Sequence, residues 1–258
     1  MPKVVIESKM YHYAAGVPPQ NNIQCAIVFI HGAGGSHKHW AYQTTALGKK
    51  FLTIAVDLPG HGNSEGKPYN KIEGYADFIF DLTERVLGTK FVIAGHSMGG
   101  AIAMDFALRY PTKLNGLILI GTGARLRVAS AILDTFAAGK LFPDLVNYAY
   151  SEAASPELIK QAKWEMENTD PSIYYNDFMA CDGFNYMERV QAINTPTLVL
   201  GGAADRLTPP KYSQYLADNI PNSQLEIIEQ AGHMIMLENP QQTNTCIEHF
   251  ITSMASTV

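Results

Sequence analysis

A serine, an aspartate and a histidine, each set just beyond a short apolar run, are the residues of this chain best placed to do chemistry. Ser97 stands in Gly95-His96-Ser97-Met98-Gly99-Gly100, after the run Phe91 to Ala94 and before the almost wholly apolar stretch Ala101 to Leu108. A strand that passes into a helix through G-x-S-x-G turns so tightly that the serine is exposed at the top of a sheet. The glycines at 95 and 99 are then needed where strand and helix nearly touch, and the first amides of the helix favour negative charge developing at Ser97. Taken alone, the same residues serve equally well as a small-residue turn that packs a helix on a strand.

A serine hydroxyl is a weak nucleophile until a base takes its proton, and the base needs a partner that orients it. The run Thr197 to Leu200 ends in Gly201-Gly202-Ala203-Ala204-Asp205. This puts Asp205 past the C-terminal end of a strand, where open α/β sheets place their sites. An aspartate there could instead cap a helix, a role the sequence gives to Thr208, directly before Pro209 at a first helical position. The run Leu225 to Ile228 leads into Glu229-Gln230-Ala231-Gly232-His233 at the same edge of the sheet. Ser97, Asp205 and His233 thus follow the chain order of nucleophile-elbow enzymes. After the run Ala26 to Ile30 comes His31-Gly32-Ala33-Gly34-Gly35. Its glycines, Gly32 first, let the backbone approach a substrate oxygen, and the N–H groups of Ala33 and Met98 would receive an oxyanion. A flexible turn after a buried strand would use the same glycines.

The elements that must hold these residues alternate, short β-rich runs with longer helical periods, as in an α/β sheet with helices on its faces. Val4 to Ile6 and Tyr11 to Ala14 are spaced as an antiparallel hairpin, followed by a polar turn over Val17 to Asn22. Five or six parallel strands come from Ala26 to Ile30, Leu52 to Val56, Phe91 to Ala94, Leu117 to Ile120, Thr197 to Leu200 and Leu225 to Ile228. Ile72, Tyr75, Ala76, Ile79 and Phe80, with Val86 and Leu87, form one helical stripe, and Asn239-Pro240 opens a terminal helix packed through Cys246, Ile247, Phe250 and Ile251. From Gly121 to Arg189 the alternation fails: helical pieces rich in Phe, Tyr and Trp are punctuated by Pro143, Pro156 and Pro171. That length is too great for a loop, so the expected organisation is a core of residues 1–120 and 190–258 with a helical cap, 121–189, inserted into it.

Composition removes several function classes. Lys plus Arg number 19 against 24 Asp plus Glu, a net charge of −5 without charge blocks, which leaves no basic footprint for nucleic acid. No apolar run reaches a membrane span and Lys3, Glu7 and Lys9 stand where a signal peptide needs its apolar region, so a soluble, cytoplasmic chain is expected. Cys25, Cys181 and Cys246 form no CxxC and read as thiols. His37 and His39 show no third ligand at a plausible spacing, so no metal site is read, and His249 belongs to the solvent face of the last helix.

With HGAGGSHKHW at 31–40, DLPGHGNS at 57–64, GHSMGG at 95–100, GGAADRLTPP at 201–210 and AGHMIMLENP at 231–240, the chain resembles the α/β-hydrolase fold superfamily over essentially its whole length. The resemblance implies an eight-stranded, mostly parallel sheet with an antiparallel second strand, helices on both faces and a cap after the sixth strand. It also implies a Ser97, Asp205, His233 triad that needs no cofactor. Pro59 and His61 in DLPGHGNS are then structural, His61 as a hydrogen-bonded loop residue. Met98 and Met234 flank the reacting positions and are expected to line the pocket.

The superfamily does not fix the reaction. Dehalogenases and epoxide hydrolases of this kind carry an aspartate at position 97, and the hydroxynitrile lyases a lysine at 234, where this chain has Met234. Carbon–carbon bond hydrolases usually place an arginine at 101, here Ala101, although Arg125 and Arg127 at the cap entrance could grip a substrate carboxylate. The expected function is a serine carboxylesterase for small to medium, largely apolar esters. Acyl transfer, thioester cleavage, perhydrolysis and carbon–carbon cleavage by the same triad are alternatives, as is a ligand receptor that does not turn over.

Overall fold

The computed structural model describes residues 2–18 and 25–255. Of the turn expected over Val17 to Asn22, residues 19–22 lie outside the described residues. An eight-stranded sheet runs in the order β1-β2-β4-β3-β5-β6-β7-β8. Its strands are β1 (Lys3–Ile6), β2 (Lys9–Gly16), β3 (Ala26–Ile30), β4 (Leu52–Val56), β5 (Phe91–His96), β6 (Leu114–Ile120), β7 (Thr197–Gly202) and β8 (Ser223–Ile228). β2 pairs antiparallel with both β1 and β4, and β3 to β8 are mutually parallel. Glu7 and Ser8 join β1 to β2 with φ of 48° and 66°, the positive pair that a two-residue hairpin turn demands. Every residue of β3 and β5 is buried, as continuous apolar runs covered on both faces must be.

The helices are α1 (Ala41–Leu47), α2 (Ile72–Val86), α3 (Met98–Arg109), α4 (Ser130–Ala137), α5 (Asp144–Ala149), α6 (Pro156–Glu167), α7 (Pro171–Asp182), α8 (Pro210–Asn219), α9 (Ile235–Glu238) and α10 (Pro240–Ala255). Val28 and Ile30 of β3 point into one apolar core with α2, α3 and α8, and Ile27 and Phe29 into the other, with α1 and α10. α3 is buried from Met98 to Ala107. On α2, Phe78 and Leu82 complete the buried stripe in place of the expected Phe80. One residue is a turn of about 100°, so Phe80 leaves the stripe of Ile79 and stacks instead on Tyr110, ring centroids 4.3 Å apart. α8 starts at Pro210 with Pro209 in the capping position, which corrects the cap assigned to Thr208. Asn239 does cap α10, its side-chain oxygen accepting the Gln242 N–H at 3.3 Å.

Between β6 and β7 the chain forms α4 to α7 and an isolated antiparallel bridge, Arg125 to Asn185. Among the described residues no helix is long and apolar enough to cross a membrane.

Asp57, fully buried just beyond β4, ties the hairpin to the loops at the C-terminal edge of the sheet. Its carboxylate accepts the N–H groups of His37 at 2.7 Å and Asn63 at 3.1 Å, and lies 2.7 Å from Nδ1 of His12 and 2.9 Å from Nδ1 of His37. His37 therefore does have two further potential ligands, from far along the sequence, while His39 stands apart from them. The separations are those of N–H···O bonds and both carboxylate oxygens already accept backbone donors, so the cluster reads as a hydrogen-bond hub around a satisfied carboxylate, while the buried Nε2 of His12 has no partner. Burial opposes the charge of Asp57, and the His37 ring with the two amides outweighs it, holding the carboxyl well below the usual range. A carboxyl depressed in the folded state stabilises above its unfolded value of about 4 and loses that contribution as pH falls through the folded value. Asp57→Ala, which strands several buried donors, is expected to cost about 3 kcal/mol or more at neutral pH in urea unfolding. The gap from wild type should narrow on acidification below about pH 4; a gap that stayed constant would show that the side chain acts through packing alone.

Candidate active site

β5 delivers Ser97 into a backbone conformation that side chains rarely adopt, φ 54° and ψ −117°, and α3 begins at the next residue. A Cβ on Gly95 would lie 2.0 Å from the Gly99 carbonyl oxygen, and one on Gly99 would lie 2.3 Å from that of Ile30. The close approach read from the motif is thus present in full. Two further bonds hold the turn: Ser97 N–H donates to Ile120 O at 2.9 Å, and the Thr122 hydroxyl donates to Ser97 O at 2.8 Å.

The loops after β7 and β8 meet beside it. His233 Nδ1 lies 2.9 Å from Asp205 Oδ2, and both side chains are buried. The other carboxylate oxygen accepts the N–H groups of Leu207 at 2.8 Å and Thr208 at 2.9 Å. The Thr208 hydroxyl donates to Asp205 Oδ2 at 2.7 Å and sits 3.2 Å from the His233 ring. Burial works against the charge of Asp205, and the His233 ring together with the Thr208 donors outweighs it, so the carboxyl is held below its ordinary range. An ionised acceptor at Nδ1 keeps the imidazole proton on that nitrogen and leaves the Nε2 lone pair free to take another. Such a pair can act as a general base toward a neighbouring hydroxyl. His96 steadies the ring from beneath: its Nε2–H donates to the His233 carbonyl at 3.0 Å, and burial, with the nearby His233, keeps it neutral. The His233 N–H in turn donates to Ala149 O at 2.8 Å at the end of α5.

Ser97 and His233 open onto a cleft of about 1150 Å³, mouth included, between the sheet edge and the segment 121–189. Gly32, Ala33 and Met234 line it, as expected, whereas Asp205 stands behind His233. Met98 does not line it: its side chain is fully buried in the core beneath the turn, and its backbone N–H lies in the first turn of α3, where amides have no intrahelical acceptor. Arg125 does not line it either, because its backbone is engaged with Asn185 and its side chain is exposed. Arg127 reaches the cleft in its place. Of the insert aromatics only Tyr150, Tyr174 and Phe178 face the cleft. Phe136 stacks behind Tyr174 at 5.0 Å, Phe184 and Tyr186 join the core near α3, and Tyr148 and Trp164 are exposed.

Three participants had no usable signal in the sequence. Thr208 looked like a helix cap. His39 and Glu165 form a polar wall of the cleft with Nε2 and Oε2 3.4 Å apart, though 126 residues separate them. Burial opposes the Glu165 charge, but His39 and Gln161 prevail and hold its carboxyl below the ordinary range.

A profile of the alpha/beta hydrolase family matches residues 27–245. The chain is similar to the putative carbamate hydrolase RutD of Rhizobium rhizogenes (strain K84 / ATCC BAA-868), 27% identical over 248 residues that span 87% of this chain and 92% of that protein. Among solved structures it is similar to a thermophilic esterase, at 31% identity and a TM-score of 0.85, covering 98% of this chain and 97% of that one. The enol-lactonase of Burkholderia xenovorans LB400 shares the fold with a TM-score of 0.90 at 23% identity, over 97% of this chain and 100% of that one. The profile match runs from β3 into α10 and takes in the turns that carry Ser97, Asp205 and His233, and the chain belongs to the alpha/beta hydrolase family.

Proposed function

We propose that this protein is a serine hydrolase that cleaves small to medium, largely apolar carboxylic esters. The observation that carries this reading is the His233 to Asp205 bond of 2.9 Å behind a cleft that Ser97 and His233 both face. Ser97 Oγ attacks the ester carbonyl while His233 Nε2 takes the hydroxyl proton. The carbonyl oxygen, now an oxyanion, is received by the N–H groups of Ala33 and Met98. The intermediate collapses as His233 returns the proton to the departing alcohol, leaving an acyl group on Ser97. Water, deprotonated by His233, attacks that acyl group, and the acid leaves as the proton returns to Ser97. Asp205 holds the imidazole tautomer throughout and stabilises the imidazolium.

The apolar wall of Leu145, Val146, Ile132 and Phe178 suits an acyl or alkyl group, with segment 121–189 acting as the cap that shapes it. Similarity to a thermophilic esterase supports an ester, while similarity to a putative carbamate hydrolase makes carbamates the first competitor to test. A panel of p-nitrophenyl esters, a carbamate and an acyl-CoA, with turnover counted per molecule, separates these reactions and separates an enzyme from a receptor.

A fluorophosphonate probe should label Ser97, and Ser97→Ala should lose labelling and on the order of 10⁶ in kcat. Asp205→Asn should keep the fold but favour the wrong imidazole tautomer, at a cost of around 10⁴ in kcat. Retained activity in either variant refutes its assignment. Each buried methylene contributes about 0.8 kcal/mol until the cleft is filled, so kcat/KM should rise from acetyl toward butyryl or hexanoyl esters and then fall. Phe178→Ala should move that maximum to longer chains; an unchanged profile in a folded variant would assign selectivity to the sheet-side loops.

A further inference from the structure

The insert and the core meet at a buried charged group to which the hydrolytic steps above assign no role. Asp177 on α7 is wholly buried, and its carboxylate gathers three donors from three separate parts of the core. Oδ2 accepts the Gly34 N–H at 2.8 Å and Nε2–H of His61 at 2.8 Å, and Oδ1 accepts the Tyr75 hydroxyl. His61 also donates from Nδ1 to Pro59 O at 3.0 Å, so both ring nitrogens are donors, as in an imidazolium. Burial opposes that charge and Asp177 outweighs it, so the ring holds its proton more tightly than usual. The neighbouring His31 ring, 4.9 Å away, cannot share the charge: its Nδ1–H donates to Gly32 O while Nε2 accepts the Leu58 N–H.

Gly34 directly follows Ala33, whose N–H the proposed mechanism aims at the oxyanion. It has φ +65°, and a Cβ there would lie 2.0 Å from the ring of Tyr174. Tyr174 and Asp177 are three residues apart on α7 and so share a face. One face of one insert helix therefore presses a ring against Gly34 and draws its N–H with a carboxylate. The turn is further closed by Gly35 N–H donating to Gly32 O at 3.1 Å.

We propose that Asp177 is a positioning residue for the oxyanion-binding loop: by fixing Gly34 it sets the direction of the Ala33 N–H, so that the loop is competent only when the insert is seated. This rests on the reading of Ala33 and Met98 as the oxyanion donors. A misplacement of about 1 Å at such a donor costs about 100-fold in rate. His61 and Tyr75 hold the carboxylate in place from the core side.

The test is a matched pair of aryl ester and aryl thionoester, in which C=O is replaced by C=S. Sulfur is the poorer hydrogen-bond acceptor, so the oxo-to-thiono ratio of kcat/KM reports the alignment of the oxyanion donors and is insensitive to the amount of folded enzyme. Because Asp177→Ala alone would strand the His61 charge, the principal variant is Asp177→Ala combined with His61→Gln. It is expected to lose about 100-fold in kcat on the ester with KM within about threefold, and much less on the thionoester, so the ratio collapses. Asp177→Asn, likewise combined with His61→Gln, keeps an acceptor oxygen for Gly34 and can turn its amide toward the Tyr75 hydroxyl, and should restore the ratio to within about threefold of wild type. Equal losses on both substrates, no loss, or a collapse as large in Asp177→Asn combined with His61→Gln would overturn the assignment. An active Ser97→Ala enzyme, or a wild type indifferent to sulfur, would instead refute the underlying mechanism and this inference with it, a pattern distinct from the first three.

Discussion

The reverse turn at Ser97 holds a non-glycine residue at φ 54°, and the packing around it is arranged so that this conformation is the one that fits. An L-residue in that region carries a steric cost that isolated peptides avoid, and it persists where surrounding structure over-determines it. Here β5, α3 and the end of β3 approach until glycine is the only residue accommodated at 95 and 99. α3 is consequently sunk into the core, with no solvent-facing side until its last turn. The fully buried strands β3 and β5 beneath it, the stretch that is apolar on all sides, and the exposure of Ser97 toward the cleft follow from the same close approach.

Three buried aspartates complete the order at the C-terminal edge of the sheet. Asp57 gathers the hairpin and the loop after β4, Asp205 the loops after β7 and β8, and Asp177 the insert. Each accepts backbone N–H groups as well as a histidine ring, which is how a carboxylate can be buried without the penalty of an unpaired charge. Loops have few apolar contacts of their own, so multi-donor carboxylates supply the rigidity that a sheet obtains from its ladder. The loops bearing Ala33, Ser97 and His233 are for this reason fixed from several directions at once.

The insert is more than a cover. Ala149 accepts the N–H of His233, Asp177 holds Gly34, and Glu165 meets His39, so three of its helical segments contact three loops of the site. Its cleft-facing surface combines apolar side chains with Arg127 and Glu165, and Glu165 meets His39 of the core, so one wall of an otherwise apolar cleft is able to hydrogen-bond.

The sequence by itself determined what depends on the backbone of one short segment. The elbow was legible because its glycines are required by close approach, the parallel strands because they are continuous apolar runs, and the positions of Asp205 and His233 because each directly follows such a strand. The tertiary structure decided the side-chain partnerships. Thr208 turned from helix cap to acceptor-orienting hydroxyl because α8 begins one residue later than its Pro suggested. Arg127, not Arg125, faces the cleft, and the Met98 side chain enters the core, because rotamer direction is set by packing rather than by proximity to Ser97 in the chain. His37 met His12 and Asp57, and His61 met Asp177, across 20 to 116 residues. No periodicity or spacing encodes such encounters, since they exist only once the insert has docked and the sheet edge has brought its loops together.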